Sequence, residues 1–174
     1  MPFISTNALL TALKGKIAAI PLEAYGDEPL IETVELYHNR DIGQAMADLL
    51  IFKQRVCLIV PTGWKHENND QGSGVTSRRM LEVGLLIADR AYTKAGDPAA
   101  FGGDKNAGVF AMAEKVIDAL LAVDLSGYGS ALPGDGDAAL VSDAKKQPDT
   151  TRVAWVQQLL IPAGASAAVA TDAD

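Results

Sequence analysis

The chain has one cysteine, two histidines and an aromatic share of only 6%. A single thiol, Cys57, forms no intramolecular disulfide, and His38 and His66 without a second cysteine do not make the Cys/His spacing of a zinc site. Cys57 lies in an apolar run and reads as a small buried hydrophobe, which suits a chain folded in the cytosol. No stretch of roughly 18 uncharged apolar residues occurs, and the opening MPFISTNALL has no basic region. Neither a membrane span nor a signal peptide is expected. Basic runs are also missing: Lys14 with Lys16, Arg78 with Arg79, and Lys145 with Lys146 are isolated pairs. At a net charge of −7 and a pI near 4.8, the average field repels nucleic acid and anionic bilayers alike.

Motifs that would carry chemistry are equally scarce. The glycine-rich pieces GSGVTS (72–77) and FGGDK (101–105) fail the phosphate-loop spacing and do not join a buried strand to a helix. His66, Glu67 and Asp70 are capable cation ligands but sit close together on what reads as a mobile loop. Asp135 and Asp137 lack the later ligands of a calcium loop. No serine lies in a nucleophile elbow, and burial would disfavour the Cys57 thiolate. Asp41 and Asp48, about two turns apart on a helix, read as solvated charges. No catalytic residue, cofactor site or metal site is expected, and the chain reads as non-enzymatic.

What is present is 48% hydrophobic residues and 21% charged ones over 174 positions, enough for one domain with an aliphatic core. Residues 1–163 read as that domain, with an excursion from the core at 124–151, followed by a flexible tail over 164–174. The stretch RVCLIVPTG, Arg55 to Gly63, anchors the reading: its five apolar residues form a strand buried on both faces and stopped by Pro61 and Gly63. Ahead of it come a helix capped by Ser5, Thr6 or Asn7, with Leu9, Leu10, Leu13 and Ile17 on one face, a strand within LIETVELYH, and a helix over Asp41–Gln54.

A long polar loop, WKHENNDQGSGVTS, follows Gly63. Next comes a strand over Arg78–Arg90 with Leu81, Val83, Leu85 and Ile87 on one face and Glu82, Gly84, Leu86 and Ala88 on the other. A second loop, TKAGDPAAFGGDKN, leads to an amphipathic helix over Ala107–Val123, whose stripe of Val109, Phe110, Ala113, Val116, Ile117, Leu120 and Leu121 opposes Glu114, Lys115 and Asp118. Arg152–Ile161 closes the domain as a strand. The fold class is α/β of the α+β type, an antiparallel or mixed sheet of about four strands packed by two to three helices, with long loops. Trp64 and Trp155 are the large aromatics able to act either as core or as contact anchors.

The helix AMADLLIFKQ running into RVCLIVPTG, the strand MLEVGLLIADRAY, the helix VFAMAEKVIDALLAV and the closing strand RVAWVQQLLIP together resemble the tail terminator, or tail completion, proteins of long-tailed bacteriophages. The resemblance covers about residues 5–163. It implies a structural virion protein of the tail or neck, assembled in the host cytoplasm. Such proteins form a homo-oligomeric ring, commonly a hexamer, that caps the tail tube and joins it to the head connector. The implied partners are the chain itself, the tail-tube protein and a connector or neck protein, with DNA only as passing cargo.

The interface candidates are Trp64, Lys65, His66 and Glu67 in the first long loop, Arg78 and Arg79 at the strand entrance, and Phe101 in the second loop, because aromatic and arginine side chains are enriched where subunits meet. Two other readings stand beside this one. One is a small α/β enzyme or ligand-binding domain using the strand end at Pro61–Gly63 as a crevice, and the other is a monomeric cytoplasmic adaptor.

Overall fold

The computed structural model describes residues 4–22, 28–37, 44, 54–70, 75–91, 97–103, 107–134, 139–143 and 151–167. Helix α1 (Thr6–Ala18) starts where the Ser5 hydroxyl accepts the N–H of Ala8, and its buried face carries Leu9, Leu10, Leu13 and Ile17. Gly15 lies within the helix rather than ending it. Strand β1 (Thr33–Leu36) pairs in parallel with β2 (Val56–Asp70), Val34 lying opposite Cys57. The segment joining them exceeds the dozen or so residues that a parallel crossover needs. The helix expected over Asp41–Gln54 falls outside the described residues, apart from Gln44, which is helical, and Gln54.

Arg55 pins this corner of the sheet. Its Nε donates to the Leu30 carbonyl at 3.1 Å, and its guanidinium lies 3.4 Å from Glu32 and 3.6 Å from Glu28. Because the side chain is buried, these partners supply what water would otherwise give the charge.

The expected strand end at Pro61 and Gly63 is the interior of β2. The strand continues to Asp70 and forms a long antiparallel hairpin with β3 (Val75–Ala91), so most of the expected first loop is sheet. Two features allow this. The β1 partner ends opposite Ile59, so among the described residues the proline stands where β2 has become an edge. A bulge between Pro61 and Gly63 then absorbs one residue against Val83 and Glu82.

On its other side β3 pairs with β6 (Thr151–Ala167), which likewise passes a proline by a bulge, Pro162 facing Met80 and Gly164 facing Arg79. β6 therefore runs beyond the expected end at Ile161 and into the segment read as a tail. Within the 124–151 excursion, β4 (Leu132–Pro133) and β5 (Ala139–Asp143) both pair antiparallel with β6, successive pieces of one interrupted edge. Among the described residues the mixed sheet thus holds six strands in the order β1-β2-β3-β6 with β4 and β5 beyond, more than the four or so expected, and the class is α+β as expected.

Short α2 (Asp97–Phe101) lies in the expected second loop, and α3 (Val109–Leu121) matches the expected amphipathic helix. The main core joins Leu9, Leu13 and Ile17 of α1 and Met112, Val116 and Leu120 of α3 to Leu81, Val83, Leu85 and Ile87 of β3. The opposite face buries a smaller cluster of Val56, Leu58, Leu86, Ala88 and Ala154.

At the far end of β3 the fully buried Asp89 accepts hydrogen bonds from the N–H of Arg90 at 2.7 Å and of Gly108 at 2.9 Å, tying the strand to the entry of α3. Gly108 is required there. Its φ is 81°, and a Cβ would lie 2.3 Å from the Gly102 nitrogen.

Gly108→Ala is expected to cost at least about 2 kcal/mol, since a left-handed backbone and a backbone clash add. Gly15→Ala, where a Cβ meets nothing within 4 Å, is expected to stabilise by about 0.5–1 kcal/mol. Denaturant titration of the two variants decides, and equal shifts would contradict the assignment. Burial also pushes the Cys57 thiol up from 9.0 to about 12. The folded thiol stays neutral where the unfolded one ionises. Stability is therefore insensitive to this group below pH 9 and falls above it, by up to about 1.4 kcal/mol per pH unit until about pH 12. Native protein is expected to resist thiol reagents at pH 8 and to take up one equivalent on unfolding; rapid stoichiometric labelling of the native chain would contradict the burial.

Candidate functional site

The structure brings six of the seven interface candidates together on the β2–β3 hairpin. They sit within strands rather than in a loop and at a strand entrance. Trp64 faces Leu81, Lys65 faces Met80, His66 faces Arg79 and Glu67 faces Arg78. Trp64 is half-buried against the main core, and the Arg79 guanidinium carbon lies 3.4 Å from its ring centroid, a diagonal cross-strand cation–π contact.

Beyond this pair the arm leaves the core, with His66 and Glu67 exposed. Successive strand residues point to opposite faces, so His66 and Glu67 do not converge on one ligand. Among the described residues no three His, Cys, Asp or Glu side chains gather as a metal site would require. Arg78 reaches the other way, its guanidinium donating to the Tyr128 carbonyl at 3.4 Å. Pro61–Gly63, expected as a strand end bordering a crevice, are mid-strand.

Phe101 belongs to a different surface. At the end of α2 it is 74% exposed and stacks on Phe110 of α3, with ring centroids 5.3 Å apart; Phe110 in turn lies 5.7 Å from Trp155 of β6. Beside this aromatic row runs a half-open groove of about 210 Å³ between α3 and β6. Its apolar lining is Phe110, Ala113, Ile117 and Trp155, and its polar lining is Glu114, Asp118 and Gln157. The Trp155 indole N–H donates to the Gln157 side-chain carbonyl at 3.0 Å, which fixes the ring while leaving it half-exposed. Trp155 thus serves both as core packing and as groove wall.

Along β3, Ile87 pairs with Trp155 and Arg79 with Gly164. At about 3.4 Å per residue the groove and the Trp64–Arg79 pair lie roughly 27 Å apart on the same sheet. Sequence reading missed the groove because the apolar stripe of α3 was taken as a single core-facing surface. That stripe is too wide for one contact: its Val109, Ala113, Val116 and Leu120 are buried, together with Met112, whereas its Phe110, Ile117 and Leu121 are only half-buried. The width was the available signal.

No protein-family model matches the chain, and no curated protein sequence matches it. Among solved structures it is similar to a chain from the virion of a native gene transfer agent (GTA) particle, at 14% identity, covering 90% of this chain and 96% of that one, with a TM-score of 0.43. Among the described residues no helix is long and apolar enough to cross a membrane.

Proposed function

We propose that this chain is a non-enzymatic structural protein of a phage tail or neck, which caps the tail tube as a homo-oligomeric ring, a hexamer in the commonest arrangement, and joins it to the head connector. The observation that supports this reading best is the hairpin arm. From Val60 to Asp70 the outer edge of β2 carries no partner strand among the described residues, while its inner edge is paired with β3 throughout apart from the bulge at Thr62. Such an edge is a row of backbone donors and acceptors that a neighbouring chain can complete. A monomer would have reason to shorten or cover so long an edge.

The sheet sets the angle of the arm and the arm carries the contact side chains, a division of labour that suits a closed ring of identical subunits. The sequence pattern shared with tail terminators points the same way. The tail-tube protein and a connector or neck protein are the other partners in this reading, and DNA only passes through. An acidic chain, at −7, suits a conduit wall that does not hold the phosphate backbone.

Electron microscopy of particles made without this protein tests the proposal. Unjoined heads with tails of irregular length are the expected result. Tails of normal length joined to heads would overturn it.

A further inference from the structure

We propose that the groove between α3 and β6 is the seat for the Trp64–Arg79 end of the hairpin from a neighbouring copy of this chain, so that the ring contact is head-to-tail. This inference rests on the ring reading above and names the surfaces that make it. The first argument is size. About 210 Å³ is smaller than the roughly 300–1,000 Å³ of pockets that enclose whole small ligands, and it suits one or two large side chains.

The second argument is chemistry. Glu114 and Asp118 stand one turn apart on the exposed side of α3, a like-charge pair that destabilises the helix until a cation approaches. Both line the groove together with Phe110 and Trp155, and among the described residues no basic side chain lines it; Lys115, next along α3, does not. Aromatic faces beside carboxylates form a receptor for a guanidinium or ammonium carried on an apolar stem.

The third argument is what this chain offers in return. Of the basic side chains among the described residues, Arg55, Arg90 and Arg152 are buried, Lys14 is engaged with Glu35 at 3.2 Å, and Lys16 and Lys115 lie on α1 and α3. The hairpin alone groups three that are partly exposed, Lys65, Arg78 and Arg79, beside a large aromatic. The Arg79 guanidinium already lies over the Trp64 ring, so part of its ordering cost is met before a partner arrives. A copy cannot fill its own groove, since the two surfaces lie roughly 27 Å apart on one rigid sheet. The contact is therefore heterologous, and heterologous contacts repeat until a ring closes.

Charge reversal tests the assignment. Self-association would be measured by analytical ultracentrifugation, in the presence of purified tail-tube protein if the free chain is a single copy. The variants are Glu114→Arg with Asp118→Arg, Arg79→Glu alone, and the two sets combined, with circular dichroism melts as a check on folding and the milder Glu114→Gln with Asp118→Asn as a second groove variant. Either reversal is expected to weaken association by at least about ten-fold, and the combination to recover most of the loss. Association within about two-fold of the unaltered chain in both reversals, or a combination no better than its parts, would overturn this contact while leaving the ring reading in place. An unaltered chain that stays single at every concentration, with tube and without, would overturn both.

Discussion

The structure depends on the double-sided pairing of β3. From Thr76 to Ala88 this strand is flanked by β2 on one side and β6 on the other, so its side-chain alternation fixes which residues of three strands face the helices. A slip of one residue would turn Leu81, Val83, Leu85 and Ile87 out of the main core and drive Glu82 into it, a cost of several kcal/mol at about 1.5–3 kcal/mol per buried aliphatic side chain. The two bulges, at Pro61/Gly63 on β2 and opposite Arg79/Met80 on β6, preserve that register past prolines that would otherwise end the strands. They also let the sheet continue well beyond the part that α1 and α3 cover.

The molecule consequently has two regimes. Cys57, Ile59, Leu85 and Ile87 are fully buried. Past the Trp64–Arg79 pair β2 continues paired to β3, with His66 and Glu67 exposed. The capping of Trp64 by Arg79 marks the boundary between these regimes. At the other end Asp89 and Gly108 anchor the entry of α3, and this sets how Phe110, Glu114 and Asp118 lie against Trp155. One sheet thus holds two chemically different surfaces roughly 27 Å apart, as the proposed head-to-tail contact needs.

Much of the core was legible in the sequence. The alternation in MLEVGLLIA gave both faces of β3 correctly, the spacing of Leu9, Leu13 and Ile17 gave α1, and the stripe from Val109 to Leu120 gave α3. The extensions were not legible, for a physical reason. Residues 65–70, KHENND, carry no apolar side chain, so no hydrophobic period marks them, and pairing with β3 makes them a strand. Pro61 and Pro162 then read as stops, since a bulge leaves no mark in one sequence. Of the site residues, the chemistry of Trp64 and Arg79 was recognised while their place in the fold was not. The groove stayed hidden because it needs α3 and β6 side by side, a juxtaposition no local pattern encodes.

The central claim is that a fully enclosed three-strand wedge carries an arm stabilised mainly by its own pairing until a neighbour covers it. Native-state hydrogen exchange measures this residue by residue. The account predicts that amides of Cys57–Ile59 and Leu85–Ile87 exchange only through global unfolding. Amides of Lys65–Asp70 should exchange through local opening in the isolated subunit and slow markedly once it is assembled on a tail tube. Protection of the arm equal to that of the core in the isolated subunit, or unchanged on assembly, would contradict it.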